Sequence, residues 1–124
     1  MGFQMKLTIN LPYPPTVNTY YATVKGRRVL SKKGREYKIS VLHEILSLGD
    51  YKFRSGKILI HIKLYVPDRR KRDIDNAVKS LLDSIVYADL IKDDSLVFKL
   101  IVEKFDYDEE NNNFCTVQIS DMTE

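Results

Sequence analysis

Hydrophobic and polar positions alternate along parts of this chain and recur at helical spacing along others. Lys6-Leu7-Thr8-Ile9-Asn10-Leu11 alternates with period two, as a half-buried strand does, and Pro12, Pro14 and Pro15 end it in an extended segment. Residues 20–24 and 27–30 flank Lys25-Gly26, which predicts a short two-stranded ribbon turning at the glycine. Ser31 suits a helix cap, and Tyr37, Val41, Leu42, Ile45 and Leu48 then repeat at helical spacing as far as Gly49. Ile58, Ile60, Ile62, Leu64 and Val66 alternate strictly with more polar neighbours, making residues 57–66 the clearest strand, and Pro67 stops it. Ile74, Val78, Leu81, Leu82 and Ile85 share one helical face, with Asp75 placed as the N-cap. Residues 95–105 read as a long strand, 106–113 as a polar turn and 114–120 as a returning strand. The predicted order is β, hairpin, α, β, α, β, β. This is an α+β fold, a small mixed α/β sandwich with its sheet packed by two helices.

Composition changes this picture in three ways. A chain of 124 residues fits one domain, 1–124, large enough for a core without disulfides. Neither a membrane-spanning apolar run nor the apolar core of a signal peptide is present, and the one cysteine, Cys115, lies in an alternating segment that predicts packing in a strand. These features point to a cytoplasmic protein. The net charge of +3 is unevenly spread: all 20 basic residues lie at or before Lys104, whereas six of the 17 acids follow it, so the body carries +9 and the tail −6. A basic body suits a polyanionic partner.

The densest chemistry is PDRRKRDIDN, residues 67–76, where Arg69, Arg70, Lys71 and Arg72 run into Asp73 and Asp75. Both aspartates fall between a strand and a helix, and Asp93-Asp94 falls at the next helix-to-strand junction. Hard divalent cations take carboxylate oxygens together with phosphate oxygens and water. Asp73, Asp75 and one of Asp93 or Asp94 would make such a set, and Lys79, one turn beyond Asp75, would face the same side to neutralise a phosphate. Plainer roles fit the same residues. Asp75 suits a cap, Lys79 a partner for Asp75 or Asp83, the cations a solvated loop, and Asp93-Asp94 an ordinary turn. His43 and His61 have no spaced ligand partners and read as structural. An ordinary crossover helix would also hold the two acidic junctions at opposite ends. What favours catalysis is conjunction, since a site holding both a metal and a phosphodiester needs both signs of charge close together. The residues thus point to a metal-dependent phosphodiesterase, with a non-catalytic basic DNA-binding module as the alternative.

These residues resemble the RusA family of Holliday junction resolvases found in prophages and bacteriophages. The resemblance runs through LPYPPTVNTYY (11–21), KGRRVLS (25–31), PDRRKRDIDNAVK (67–79) and KDDSLV (92–97). It implies a homodimeric α/β endonuclease that binds four-way DNA junctions by their shape and nicks two opposing strands with Mg²⁺ or Mn²⁺. On the family pattern the catalytic and metal-binding acids fall on Asp73, Asp75 and Asp94, the essential lysine on Lys79, and a DNA-handling arginine on Arg72, while Asn76 completes D-x-D-N. The resemblance further implies that Asp94 approaches the other two acids. Phosphate contacts are expected from Lys25, Arg27, Arg28, Lys32, Lys33, Arg69, Arg70, Lys71 and Arg72. Tyr20 and Tyr21 are candidates for stacking on opened bases or for packing the hairpin to the core. The acidic turn DYDEENNN is expected to lie away from DNA. A nuclease for other branched or flapped DNA would use the same acids.

Overall fold

The computed structural model describes residues 5–122. Its strands are β1 (Lys6–Pro12), β2 (Tyr21–Val24), β3 (Arg27–Leu30), β4 (Ile58–Tyr65), β5 (Val97–Phe105) and β6 (Phe114–Asp121). Its helices are α1 (Val17–Tyr20), α2 (Lys32–Leu46) and α3 (Val78–Tyr87), with 3₁₀ turns at Asp75–Ala77 and Asp94–Leu96. Four strands form one sheet in the order β1-β6-β4-β5, and β2 and β3 form a separate ribbon. Pairing is antiparallel except between β4 and β5, which run parallel and are joined through α3.

Alternation decides which face of the sheet is buried. Ile58, Ile60, Ile62 and Leu64 of β4 are fully buried with Cys115, Val117 and Ile119 of β6, and Leu7, Ile9 and Leu11 of β1 are buried beside them. Val41 and Ile45 of α2 and Leu81 and Ile85 of α3 join that core. The intervening strand residues point to the other, more open face. Burial pushes the Cys115 thiol up to about 12, which leaves it a packing residue. Among the described residues no helix is long and apolar enough to cross a membrane.

Three local expectations are corrected. First, α1 is a helical turn too short to leave a periodic signal; Thr16 caps it by accepting the Thr19 N–H at 3.3 Å. Tyr20 therefore ends a helix instead of opening a strand, and its hydroxyl meets Ser84 Oγ at 3.0 Å in the core, so it packs. Second, Asp75 is not a cap. Ile74 already has helical dihedrals (φ −63°, ψ −35°), so the chain coils one step early and Asp75 lies inside a 3₁₀ turn, with no side-chain capping bond there or at the start of α3. Third, Ile74 is 41% exposed and stands outside the apolar face assigned to it.

Ser31 does cap α2, accepting the Gly34 N–H at 2.9 Å, and its hydroxyl lies against the Thr19 and Tyr20 carbonyls. The contact between α1 and α2 is close enough that a Cβ at Gly34 would sit 2.1 Å from the Tyr20 carbonyl oxygen. Gly34→Ala should therefore destabilise the fold by about 1–3 kcal/mol despite the better helix propensity of alanine. Urea denaturation checks this, and a midpoint at or above that of the unmutated protein would contradict the contact.

Candidate functional site

The loop from Pro67 to Ile74 leaves the end of β4 and is shaped by its own charges. Asp68 accepts the Arg70 backbone N–H at 3.0 Å and the Arg72 guanidinium at 2.8 Å (Nη2) and 3.4 Å (Nε). The Arg72 hydrogen bond, then the Arg70 N–H, hold the Asp68 carboxyl below its usual range. Lys104 Nζ, at the end of β5, donates to the Arg72 carbonyl at 2.6 Å and fastens the loop to the sheet edge. Arg69, Arg70, Lys71 and Arg72 then wall a half-open cleft of about 390 Å³, closed by Lys104, Phe105, Asp106 and Tyr107. The Arg69 guanidinium lies 4.8 Å from the centre of the Tyr107 ring. The opening of the acidic turn thus stands against the basic run.

Asp73 and Asp75 emerge on the other side of Arg72, in a cleft shared with Ile74, Val102, Glu103 and Lys104. Asp73 also lines a narrow cleft with Tyr13, Lys71, Arg72 and Asn76, where Asn76 Nδ2 donates to Asp73 at 3.4 Å. Two exposed hard carboxylates two residues apart, beside cations, fit the donor chemistry of a divalent metal bound together with phosphate.

Lys79 and Asp94 belong to a different cleft, lined also by Tyr20, Tyr21, Lys38, Asp83 and Tyr87. Lys79 Nζ donates to Asp83 at 2.9 Å, and the Tyr21 hydroxyl donates to the second oxygen of the same carboxylate. Burial first, then that bond to Asp83, push the Tyr21 hydroxyl up. Arg28 stacks 4.1 Å above the Tyr21 ring, so the hairpin is wired to α3 through Tyr21 and Asp83. Asp93 caps the turn before β5 by accepting the Ser95 N–H at 3.0 Å, and that bond lowers its carboxyl below the usual range.

The fold therefore does not gather the expected acids. Val97, which follows the Asp94 turn, pairs beside Ile58 at the start of β4, whereas Asp73 and Asp75 follow its end. Among the described residues no three His, Cys, Asp or Glu side chains form a metal-holding group. Lys79 is bound to Asp83 and lines a different cleft from Asp75, with a 3₁₀ turn between the two residues. Of the other basic candidates, Lys25 and Gly26 form the hairpin turn with positive φ (52° and 73°), and Arg28 lines a cleft with Tyr21 and Gly26. Lys25, Arg27, Lys32 and Lys33 are exposed, and none of them lines the two clefts that hold Asp73. The cleft residues missed in the sequence are Lys104 and Phe105, which end a strand, and Tyr107, which lies in the polar turn after it.

Fold and site together define a small α+β protein that sets a carboxylate pair beside a wall of cations, an arrangement suited to phosphodiester chemistry. The chain belongs to the RusA family: it matches the family described as Endodeoxyribonuclease RusA over residues 12–119. It is 39% identical over 84 residues to the crossover junction endodeoxyribonuclease of Enterobacteria phage HK97, covering 68% of this chain and 70% of the relative. It is 35% identical over 101 residues to the crossover junction endodeoxyribonuclease RusA of Escherichia coli (strain K12), covering 78% and 81%.

The Asp68–Arg72 pair yields a prediction. Asp68 is depressed, so the pairing is fully present above its usual pKa and is lost as pH falls through the depressed value. Asp68→Asn should imitate that loss at neutral pH and free Arg72 for phosphate. DNA affinity at low salt should rise, and the slope of log K against log salt should steepen by about one contact, roughly 0.9. Fluorescence anisotropy across a salt series measures both, and an unchanged slope would show that Arg72 is not restrained by Asp68.

Proposed function

We propose that this chain is a crossover junction endodeoxyribonuclease that binds a four-way Holliday junction and resolves it by paired symmetric nicks. The observation that carries the reading is the Asp73–Asp75 pair set against Arg72 and Lys104 in a chain of the RusA family. Residues 69–72 hold the phosphodiester by charge and shape, with Arg28 and the exposed hairpin cations extending the contact along the backbone. Asp73 and Asp75 are the ligands for Mg²⁺ or Mn²⁺, and Asp94 is the third acid of the set. A metal held there supplies polarisation of the phosphoryl group and activation of the attacking water. Lys79, oriented by Asp83, neutralises the charge that develops on the phosphate. A four-way junction has approximate two-fold symmetry, so a homodimer would present two equivalent sites to two strands. A DNA substrate and a reduced, buried cysteine fit action in the cytoplasm.

Asp75→Asn should keep junction binding and lower Mg²⁺-dependent cleavage by on the order of a hundredfold or more. Lys79→Ala should lose far more cleavage than binding. Gel-shift and cleavage assays on a labelled four-way junction and a flap test both; unchanged cleavage by Asp75→Asn, or preference for the flap, would reject the proposal.

Asp94 stands apart from Asp73 and Asp75 within one chain, which motivates a second test. In a mixed dimer of Asp75→Asn and Asp94→Asn chains, a site shared between two copies leaves one centre with all its acids, and nicking of one strand returns. A site built within each copy leaves both centres defective. We expect the single nick, and a mixed dimer as inactive as either parent would place the acids in the same chain.

A further inference from the structure

The open face of the sheet carries a row of rings that no assigned role uses. Pro12, Phe114, Tyr65 and Phe105 are register partners across all four strands, β1, β6, β4 and β5. Phe114 and Tyr65 are stacked with centroids 4.4 Å apart and planes 10° from parallel; Tyr65 and Phe105 are stacked at 5.0 Å and 13°. The row advances at the spacing of the strands. It ends at Phe105 because β5 is the edge strand, so no further strand covers the outer side of this ring, which is 37% exposed.

Phe105 also lines the cleft walled by residues 69–72, together with Lys104 and Tyr107. The volume, about 390 Å³, lies within the range of small-ligand sites. A flat apolar ring at the end of a stack, beside several cations, matches a nucleotide: a planar base carrying an anionic phosphate. Arg72 and Lys104 border both this cleft and the one that holds Asp73 and Asp75. A nucleotide seated on Phe105 would therefore direct its phosphate toward the acids.

We propose that Phe105 is a stacking site for one unpaired nucleobase of the DNA, with the adjoining phosphate held by the Arg69–Arg72 wall. This rests on the reading of the chain as a DNA nuclease. The site takes any base, since every base offers a π-face, and it requires a base freed from its partner, as strand crossover supplies and continuous duplex does not. It thereby favours branched over linear DNA without reading sequence.

The chain contains no tryptophan, so Phe105→Trp creates a single fluorescent reporter at the site. With EDTA present to prevent cutting, a four-way junction and a short oligothymidylate should quench its emission, whereas a blunt duplex should not. Phe105→Leu keeps an apolar side chain without a ring and should bind the oligonucleotide and the junction about tenfold more weakly than the unmutated protein. Emission unchanged at junction concentrations that saturate a gel shift, or a Phe105→Leu variant that binds like the unmutated protein, overturns the base site and leaves junction cleavage standing. Quenching by the oligonucleotide in a protein that cuts no junction would instead reject the nuclease reading and retain the base site.

Discussion

The parallel pairing of β4 with β5 is the constraint from which the rest of the site follows. Parallel neighbours cannot be joined by a tight turn, so the chain must travel back along the sheet before β5 begins, and α3 makes that return. The same pairing aligns the ends of the two strands, putting Tyr65 beside Phe105 and Lys104 within reach of the Arg72 carbonyl. It also carries Asp94 to the opposite end of β4 from Asp73 and Asp75. One topological decision thus creates the basic wall, the aromatic row and the separation of the acids.

Within that frame, charge does two kinds of work. Part of the positive run is consumed in shaping the loop: Arg72 is forked onto Asp68, and its carbonyl is bound by Lys104. Each contact is at least partly open to solvent and individually weak, yet they act on one short segment and orient it against the edge of β5. Arg69 and Lys71 remain directed at the cleft, with Arg69 over Tyr107. On the far side, Asp83 joins Lys79 to Tyr21 and through it to Arg28, so the hairpin and the lysine are parts of one network. The juxtaposition of cations and carboxylates in PDRRKRDIDN is therefore a folded arrangement, held by the Asp68–Arg72 pair within the segment and by Lys104 and Tyr107 from outside it.

Most elements were legible because their signals are periodic and local. Ile58, Ile60, Ile62 and Leu64 alternate in the chain, and all four are fully buried. Ser31 has the chemistry of a cap and caps α2. Short or non-periodic features escaped: α1 spans four residues, and the 3₁₀ turn at Asp75 depends on the dihedrals of Ile74. That turn undid the capping role of Asp75, since the chain enters helical dihedrals one residue early.

By itself, then, the sequence determined the family, the alternation of strands and helices, the buried face of the sheet and the identity of the charged residues, since each is a property of neighbouring positions. Only the tertiary structure decided which of those residues meet. Lys104 reaches Arg72 from 32 positions away, Tyr21 reaches Asp83 from 62, and Phe105 stacks on Tyr65 across a strand pairing that no local pattern encodes. Strand order is set by burial summed over the whole core, and so the distances between functional groups are too.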